Sequence, residues 1–215
     1  MAAARKTGLA GVALLLVGGI AVAGSLALQP DAGLPDDLRD FALAEPAQLQ
    51  TVTLADGKGA VAFPGDADNR WTLLAMGFTH CPDICPFMLT NLAEVESQMK
   101  GHLSAAELPR FVFLSVDPSR DTTTYLAEYV SHFSDDFLGI TGPPPAIDQL
   151  TKELGAFYRL GPKDSDGDYT VDHSAEIFLI DPKGRLFGKF QPPLDPQETT
   201  VRFKNARRFY AQSNT

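Results

Sequence analysis

Cys81 and Cys85 are the only cysteines in the chain, and three residues separate them. A disulfide between residues so close together would close a very small loop, and such a loop removes little entropy from the unfolded chain. This bond would stabilise the fold poorly, so the pair indicates redox or metal chemistry rather than a structural disulfide. As thiolates, both side chains are soft ligands that suit Cu(I) or Zn(II).

The cysteines lie between a short apolar run and a segment with helical periodicity. Residues 71–78 are typical of a buried strand. Apolar side chains then recur at helical spacing at Met88, Leu92, Val95 and Met99. This spacing predicts a helix over about 86–102. Proline suits the first helical position, so Cys85 is expected to cap the helix, with Cys81 in the loop over its N-terminus. Free backbone N–H groups and the helix dipole should then stabilise thiolates and lower the pKa of at least one cysteine.

A third metal ligand would come from one of four histidines. His173 precedes a predicted strand over residues 175–180, and in a thioredoxin-like topology the loop entering that strand lies against the cysteine loop. His173 could therefore complete a set of two cysteines and one histidine, with an ordinary hydrogen-bonded loop histidine as the alternative. His80 is a weaker candidate, because neighbouring residues at a strand end point in opposite directions. His102 and His132 fall on predicted helices, where no metal site is needed to explain them.

Acidic side chains flank these candidate ligands. Asp172 is placed to orient a neighbouring group, and Asp117, at the end of a predicted buried strand, could border the site. Turn formation before the following proline is the simpler explanation of Asp117. Asp83 lies between the cysteines and is expected to be exposed, where it is a candidate for contact with a partner protein. The acidic run 164–168 lacks the glycine and the final carboxylate of a calcium-binding loop, so we interpret it as a solvated loop.

The remaining segments alternate between strand and helix patterns. Predicted strands over 49–54 and 60–63 form a hairpin around Asp56-Gly57. Further strands are predicted over 71–78, 111–116, 137–140, 175–180 and 185–190, and helices over about 86–102, 122–133 and 147–157 and from 195 onward. This order indicates an α/β fold with a central sheet, parallel βαβ units, a closing hairpin and helices on both faces.

The N-terminal segment predicts a membrane anchor. Arg5 and Lys6 precede a stretch without charge from Thr7 to Pro30, and a helix of about 20 residues is long enough to cross a bilayer. The basic residues should stay on the cytoplasmic side, which places the rest of the chain on the outer, periplasmic or equivalent, side. A cleaved signal peptide ending near Ala21-Val22-Ala23 is the alternative. We therefore divide the chain into an anchor over 1–28, an acidic, proline-containing tether over 29–47 and one domain over 48–215.

The composition fits a single folded domain and limits its partners. The chain has 215 residues, of which 44% are hydrophobic and 21% are charged, as is usual for soluble domains. Arg5 and Lys6 account for all the charge before residue 29, so the remainder carries 16 basic against 27 acidic residues. An acidic body of this kind is not expected to bind nucleic acid non-specifically.

Three short motifs stand in order along the chain: GFTHCPDICP (77–86), SVDPSRDT (115–122) and YTVDHS (169–174). Together they resemble the patterns of the SCO/SenC family of copper proteins, and the similarity extends over about residues 47–210. The resemblance implies a thioredoxin-like fold in which helices flank a central mixed sheet and an extra hairpin lies on the N-terminal side. It also implies one copper ion per domain, as Cu(I) or Cu(II), with the ligands Cys81, Cys85 and His173.

Two functional hypotheses accompany this resemblance. In the first, the domain is a metallochaperone rather than an enzyme, and it delivers copper to the binuclear copper centre of cytochrome c oxidase. Its partners would be the copper-bearing subunit of the oxidase, other copper chaperones and thiol reductants. In the second, the redox-active pair Cys81 and Cys85 makes the domain a thiol-disulfide reductase that keeps the oxidase cysteines reduced. A peroxidase is disfavoured, because Phe78 stands three residues before Cys81, where such enzymes need threonine.

Overall fold

A six-stranded sheet runs through the centre of the structure, a computed structural model that describes residues 33–65 and 69–213. In chain order the strands are β1 (Ala42–Gln48), β2 (Val52–Asp56), β3 (Gly59–Phe63), β4 (Thr72–Gly77), β5 (Arg110–Ser115), β6 (Phe137–Ile140), β7 (Tyr158–Leu160), β8 (Val171–His173), β9 (Ile177–Ile180) and β10 (Arg185–Phe190). The helices are α1 (Ile84–Lys100), α2 (Thr123–Ser131), α3 (Pro144–Glu153) and α4 (Pro196–Ser213). The central sheet has the order β1-β10-β9-β4-β5-β6, while β2–β3 and β7–β8 form two-stranded sheets of their own.

Parallel pairing of β4 and β5 decides which loops meet. Leu73 lies opposite Phe111, and Gly77 lies opposite Ser115. β6 continues parallel beside β5, whereas β9, β10 and β1 are added antiparallel on the other side. Because β4 and β5 are parallel, their carboxyl ends share one edge of the sheet, and there the Val116 N–H donates to the Gly77 carbonyl at 2.9 Å. The loop that carries the cysteines and the loop after β5 therefore start side by side.

Side chains of the central strands alternate between two buried layers. On β4, Leu73 and Ala75 pack with apolar residues of α1, α2 and α4, whereas Leu74 and Met76 pack with α3 and the β2–β3 hairpin. All four side chains are fully buried. Helices thus cover one face of the sheet, and a helix and a hairpin cover the other, which explains why the strand is apolar on both faces.

The mixed α/β architecture predicted from the sequence is confirmed. The hairpin β2–β3, the parallel unit β4-α1-β5 and the closing hairpin β9–β10 all form, with boundaries shifted by a few residues. This is the order of a thioredoxin-like fold: a strand, a helix and a parallel strand, followed later by an antiparallel hairpin and a last helix. The last helix begins at Pro196, as predicted, and the Asp195 carboxylate accepts the N–H of Glu198 at 2.6 Å.

Part of the predicted tether contributes to the folded domain instead. Residues 42–48 form β1, which pairs antiparallel with β10, and both Leu38 and Phe41 are buried. Phe41 stacks on Phe190 of β10, with ring centroids 4.5 Å apart. The sequence does not reveal this strand, because an edge strand has only one neighbour and tolerates a proline, here Pro46. The folded domain therefore begins before residue 48.

The region around His173 also differs from the sequence prediction. α3 ends at Glu153 rather than near Phe157, because Gly155 adopts a left-handed conformation with φ of +61°, as is common just after a helix. Phe157 is consequently exposed rather than part of an apolar helix face. His173, expected in a loop, is the last residue of β8, in a ribbon that the sequence pattern does not predict.

The predicted membrane anchor falls on residues 1–28, outside the described part of the chain. Within residues 33–65 and 69–213, none of the helices is both long and apolar enough to cross a bilayer. The anchor therefore stays a prediction from sequence.

Gly188 tests the packing of β1 on β10. A Cβ at this position would lie 2.4 Å from the Phe41 carbonyl oxygen and 2.9 Å from the Ala42 Cα. The backbone would have to move, so we expect Gly188→Ala to lower the free energy of unfolding by about 1–3 kcal/mol, as in overpacked sites. Chemical denaturation measures this change.

Gly101→Ala is the matched control. The nearest atom to a Cβ at Gly101 is 3.4 Å away, so this variant should lose no stability. Equal unfolding free energies for the two variants would show that β1 does not pack on β10 as described.

Candidate metal centre

The start of α1 positions the two cysteines. The helix begins at Ile84, so Cys85 lies inside the first helical turn rather than at its cap. Asp83 is the cap residue, and its side chain makes no capping hydrogen bond. Pro86 fits in this turn because the first backbone N–H groups of a helix have no partner within the helix to lose. Cys85 therefore projects from a helix, whereas Cys81 lies in the preceding loop.

Cys81 is a half-buried free thiol beside the N-terminus of α1. Its backbone N–H donates to the Phe78 carbonyl at 3.3 Å, which turns the loop back on itself. Its Sγ accepts the backbone N–H of Cys85 at 3.4 Å. One N–H group of the helix start, which has no partner within the helix, thus donates to the Cys81 sulfur, as the sequence predicts.

Cys85 is fully buried, and its surroundings favour the neutral thiol. A Cβ on Gly77 would lie 2.8 Å from the Cys85 Sγ and 2.8 Å from the Phe113 ring, so this close packing requires glycine at position 77. Burial raises the pKa of Cys85 to about 12, and a hydrogen bond with the Phe78 backbone offsets this rise only in part. The lowered pKa expected from the helix dipole does not hold for Cys85, because the loss of hydration outweighs the dipole.

His173 faces Cys85 from β8. Its Nε2 lies 3.6 Å from the Cys85 Sγ, and its Nδ1 lies 2.8 Å from the carbonyl oxygen of Ser174. A carbonyl oxygen can only accept a hydrogen bond, so Nδ1 carries the proton of the neutral ring and the Nε2 lone pair is available to a metal. The Phe78 ring packs edge-on against the imidazole, with centroids 6.2 Å apart.

The three predicted ligands are neighbours, but they do not form a closed metal site. Two donors bound to one metal ion at about 2.0–2.3 Å, with a trigonal or tetrahedral angle between them, lie about 3.6 Å apart. The separation of Cys85 and His173 has this value. Within the described residues, however, no group of three or more His, Cys, Asp or Glu side chains could hold a metal ion as placed. Binding by all three ligands therefore requires a shift of at least one side chain.

A buried carboxylate, not singled out from the sequence as a site residue, holds the cysteine loop. Asp121 is fully buried and accepts hydrogen bonds from the N–H and hydroxyl of Thr79 and from the hydroxyl of Ser115. The His80 Nδ1 lies 3.5 Å from the same carboxylate, so this histidine is already engaged there. The neighbouring Thr122, not Asp121, caps α2. The place of Asp121 in the SVDPSRDT motif is the signal that could have identified it.

Asp117 reaches the site only indirectly. It is fully buried at the end of β5, where it accepts hydrogen bonds from Arg120 and, at 2.7 Å, from the Tyr169 hydroxyl. Arg120 in turn packs over the rings of Phe78 and Tyr169. Arg120 lies in the same SVDPSRDT motif, but its residue type and position alone do not mark it as a site residue.

The other two predicted acidic residues are on the surface. Asp172 is exposed and pairs with Arg159 at 2.7 Å, while the orientation of His173 comes from Ser174. Asp83 is exposed, as expected from its position between the cysteines. Its contact with a partner protein stays a prediction.

The chain is similar in sequence to proteins of one known family. A family model described as SCO1/SenC matches residues 44–207. The mitochondrial protein SCO2 homolog of Bos taurus is 42% identical over 132 residues, which is 61% of this chain and 49% of that protein. The chain thus spans about half the length of such relatives.

Solved structures show the same fold. Arabidopsis thaliana ScoI with copper bound has a TM-score of 0.68 and 32% identity, over 77% of this chain and 100% of that one. Bradyrhizobium japonicum ScoI with copper bound has a TM-score of 0.65 and 32% identity, over 75% of this chain and 99% of that one. The similarity therefore covers essentially the whole of both solved chains.

The burial of Cys85 predicts a pH-dependent thiol reactivity. A thiol whose pKa is raised to about 12 stays protonated near neutral pH, and only the thiolate attacks an alkylating reagent. In reduced, metal-free Cys81→Ser, we expect iodoacetamide to modify Cys85 slowly at pH 7. The rate should rise about tenfold per pH unit up to about pH 10, since the thiolate fraction grows in that proportion below the pKa. Mass spectrometry counts the modified protein.

Cys85→Ser is the matched control for this measurement. It retains the half-buried Cys81, which should react faster at pH 7 because the reagent reaches it. If Cys85 reacted as fast as Cys81 at that pH, the helix dipole rather than burial would control its thiol.

Proposed function

The chain belongs to the SCO1/SenC family, and on this basis we propose that it is a copper metallochaperone rather than an enzyme. Copper is its cargo, bound by Cys81, Cys85 and His173 and delivered to the binuclear copper centre of cytochrome c oxidase. One observation carries the proposal: the Nε2 of His173 faces the Cys85 sulfur at 3.6 Å, beside a second free thiol. Under this proposal the predicted anchor over residues 1–28 holds the domain at the membrane surface.

The donor set fits copper. Two thiolates and one imidazole are soft or intermediate ligands, and three such donors suit Cu(I). The Ser174 carbonyl orients the histidine by accepting a hydrogen bond from Nδ1, with the two atoms 2.8 Å apart, which leaves Nε2 as the ligating atom. An ordinary hydrogen-bonded histidine would make the same Nδ1 contact, so support for a metal role comes from the Nε2, which faces the Cys85 sulfur.

The high pKa of Cys85 fits a protein that must release its metal. Copper binds the thiolate, so loading displaces a proton from a group whose burial favours the neutral form. The proton returns when copper leaves, and the empty site then holds a stable thiol. Copper binding at neutral pH therefore includes the displacement of this proton.

Apolar residues beside the cysteines provide a surface for a partner. Ile84 and Phe87, in the first turn of α1, are 60% and 61% exposed, and a helix places residues three apart on one side. An acceptor that takes copper directly must bring its own ligands to the same ion, so its surface has to cover this turn. We therefore assign Ile84 and Phe87 to docking with the copper-bearing subunit of the oxidase, with Asp83 at the edge of the contact.

A thiol-disulfide reductase is the competing function, and His173 separates the two. Exchange between dithiols needs only the two sulfurs, whereas copper binding by the proposed set needs the imidazole. His173→Ala should therefore weaken Cu(I) binding by more than about tenfold, since loss of outer partners alone costs about 10–100-fold in metal affinity. Competition with a Cu(I) chelator measures the affinity, and reduction of a model disulfide measures the dithiol activity.

His132→Ala is the matched control. His132 is exposed at the end of α2, where its Nδ1 contacts the Glu128 carbonyl, so its replacement should leave both readouts unchanged. Unchanged Cu(I) affinity in His173→Ala would show that His173 is not a copper ligand, and the metallochaperone proposal would lose its main support. Loss of disulfide reduction in the same variant would also count against the assigned role of His173.

Docking can be separated from binding by Phe87→Ser. The change leaves all three proposed ligands in place, so Cu(I) affinity should stay within about twofold, while transfer to the soluble copper-bearing domain of the oxidase subunit should slow by about tenfold or more, as at interface anchors. Stopped-flow absorbance follows the transfer. Val201→Ser is the control, because Val201 is 51% exposed on α4. Equal transfer rates for the two variants would refute the docking surface.

A further inference from the structure

His173 lies on an element that the central sheet does not hold. β7 and β8 have three residues each and pair only with each other. A two-stranded ribbon of this size is marginally stable in water without further packing. Because the position of His173 relative to Cys85 depends on where this ribbon sits, contacts that fix the ribbon to the rest of the domain decide the geometry of the site.

Arg120 makes such contacts. Its Nε donates to Asp117 at the end of β5, and its Nη1 donates to Asp168, shortly before β8. The guanidinium carbon lies 3.7 Å from the ring centroid of Tyr169, whose hydroxyl is hydrogen-bonded to Asp117. Side-chain exposure of Arg120 is only 15%. One largely buried cation therefore joins the central sheet to the segment that leads into β8.

The same guanidinium reaches the cysteine loop through Phe78. Its carbon lies 5.5 Å from the Phe78 ring centroid. This ring packs edge-on against His173, and the Phe78 carbonyl accepts the N–H of Cys81. Arg120 thus lies against Phe78, the ring that contacts the imidazole, and against Tyr169 in the segment before β8.

We propose that Arg120 is a positioning residue of the copper site, which holds His173 in place relative to Cys85. The expected effect of Arg120 on copper binding rests on the proposed function. Its role in holding the β7–β8 ribbon in place rests only on the contacts described above. Only arginine can stack a planar cation on aromatic rings and also donate to two carboxylates. The Arg120 Nη2 is buried without a hydrogen-bond partner in the described residues, a cost that an apolar residue of purely structural role would avoid.

A double-mutant cycle tests whether Arg120 acts through His173. We expect Arg120→Gln to weaken Cu(I) affinity by about tenfold, as loss of an outer contact does, and to have an effect below about twofold in the His173→Ala background. Arg120→Lys should recover little of the Cu(I) affinity lost in Arg120→Gln, because lysine has no planar group to stack on the rings. An equal loss in both backgrounds would overturn the proposal, since the effect would then not pass through the histidine.

Arg159→Gln is the matched control. It removes a cation from β7 whose partner Asp172 precedes His173, but that ion pair is exposed, so copper affinity should not change. Tyr169→Leu is the second variant, which removes the stacked ring and keeps Arg120. Like Arg120→Gln, it should lower the Cu(I) affinity. If Arg120→Gln fails to fold, Tyr169→Leu tests the positioning role in its place. Normal Cu(I) affinity in a folded variant of either kind would contradict the proposal.

Hydrogen exchange in the metal-free protein gives a readout that copper does not influence. The Ser174 N–H donates to the Phe157 carbonyl and the Gly161 N–H to the Thr170 carbonyl, at the two ends of the ribbon. In Arg120→Gln both should exchange about tenfold faster or more, as in local opening, while the Lys189 N–H of β10, which donates to the Phe41 carbonyl, should not change. Unchanged exchange at the ribbon would refute the positioning role. If instead the wild type binds no Cu(I), the proposed function fails. The exchange rates then remain the test of whether Arg120 holds the ribbon in place.

Discussion

The parallel pairing of β4 with β5 is the constraint on which the candidate metal centre depends. It makes Gly77 and Ser115 register partners, so the loops that follow the two strands share one buried carboxylate. Asp121 accepts hydrogen bonds from Thr79 in the cysteine loop and from Ser115 on β5. A carboxylate buried in this way is stable only when several donors satisfy it. Strand pairing and Asp121 together fix where the cysteine loop starts, independently of any contact with a metal.

Burial and the helix dipole act in opposite directions on Cys85. A charge at the end of a helix gains about 0.3–1 kcal/mol, and up to about 2 kcal/mol when partly buried. Removing a thiolate from water costs more in a site packed against Gly77 and Phe113, and the pKa of Cys85 is raised to about 12 as a result. The same helix start directs an N–H at the sulfur of Cys81, which is only half-buried. The two thiols of one short loop are therefore chemically different, although their sequence surroundings look alike.

Sequence reasoning finds the elements whose pattern is local and misses those that depend on distant partners. The apolar runs of β4 and β5 and the helical spacing in α1 predict those elements, and residue type with spacing singles out the two cysteines. His173 is chosen as the third ligand by the family resemblance, because its position alone leaves an ordinary hydrogen-bonded histidine as the alternative. A three-residue strand such as β8 shows no periodicity, so the ribbon was missed. Asp121 and Arg120 were missed as site residues because their partners are far away in the chain. Thr79 is 42 residues from Asp121, and Asp168 is 48 residues from Arg120.

The three candidate ligands are held with different firmness, and this has a consequence for metal exchange. Cys85 is fully buried on a helix, His173 lies on a short ribbon, and Cys81 is half-buried in a loop, with its sulfur 3.4 Å from the backbone nitrogen of Cys85. If copper passes between proteins by exchange of one donor at a time, the first donor to be replaced is the one that can leave without disturbing the core. Cys81 meets this condition, because its loop is exposed on one side. Cys85 cannot move without opening the packing at Gly77, so under the proposed function it would be the last of the three donors to release copper.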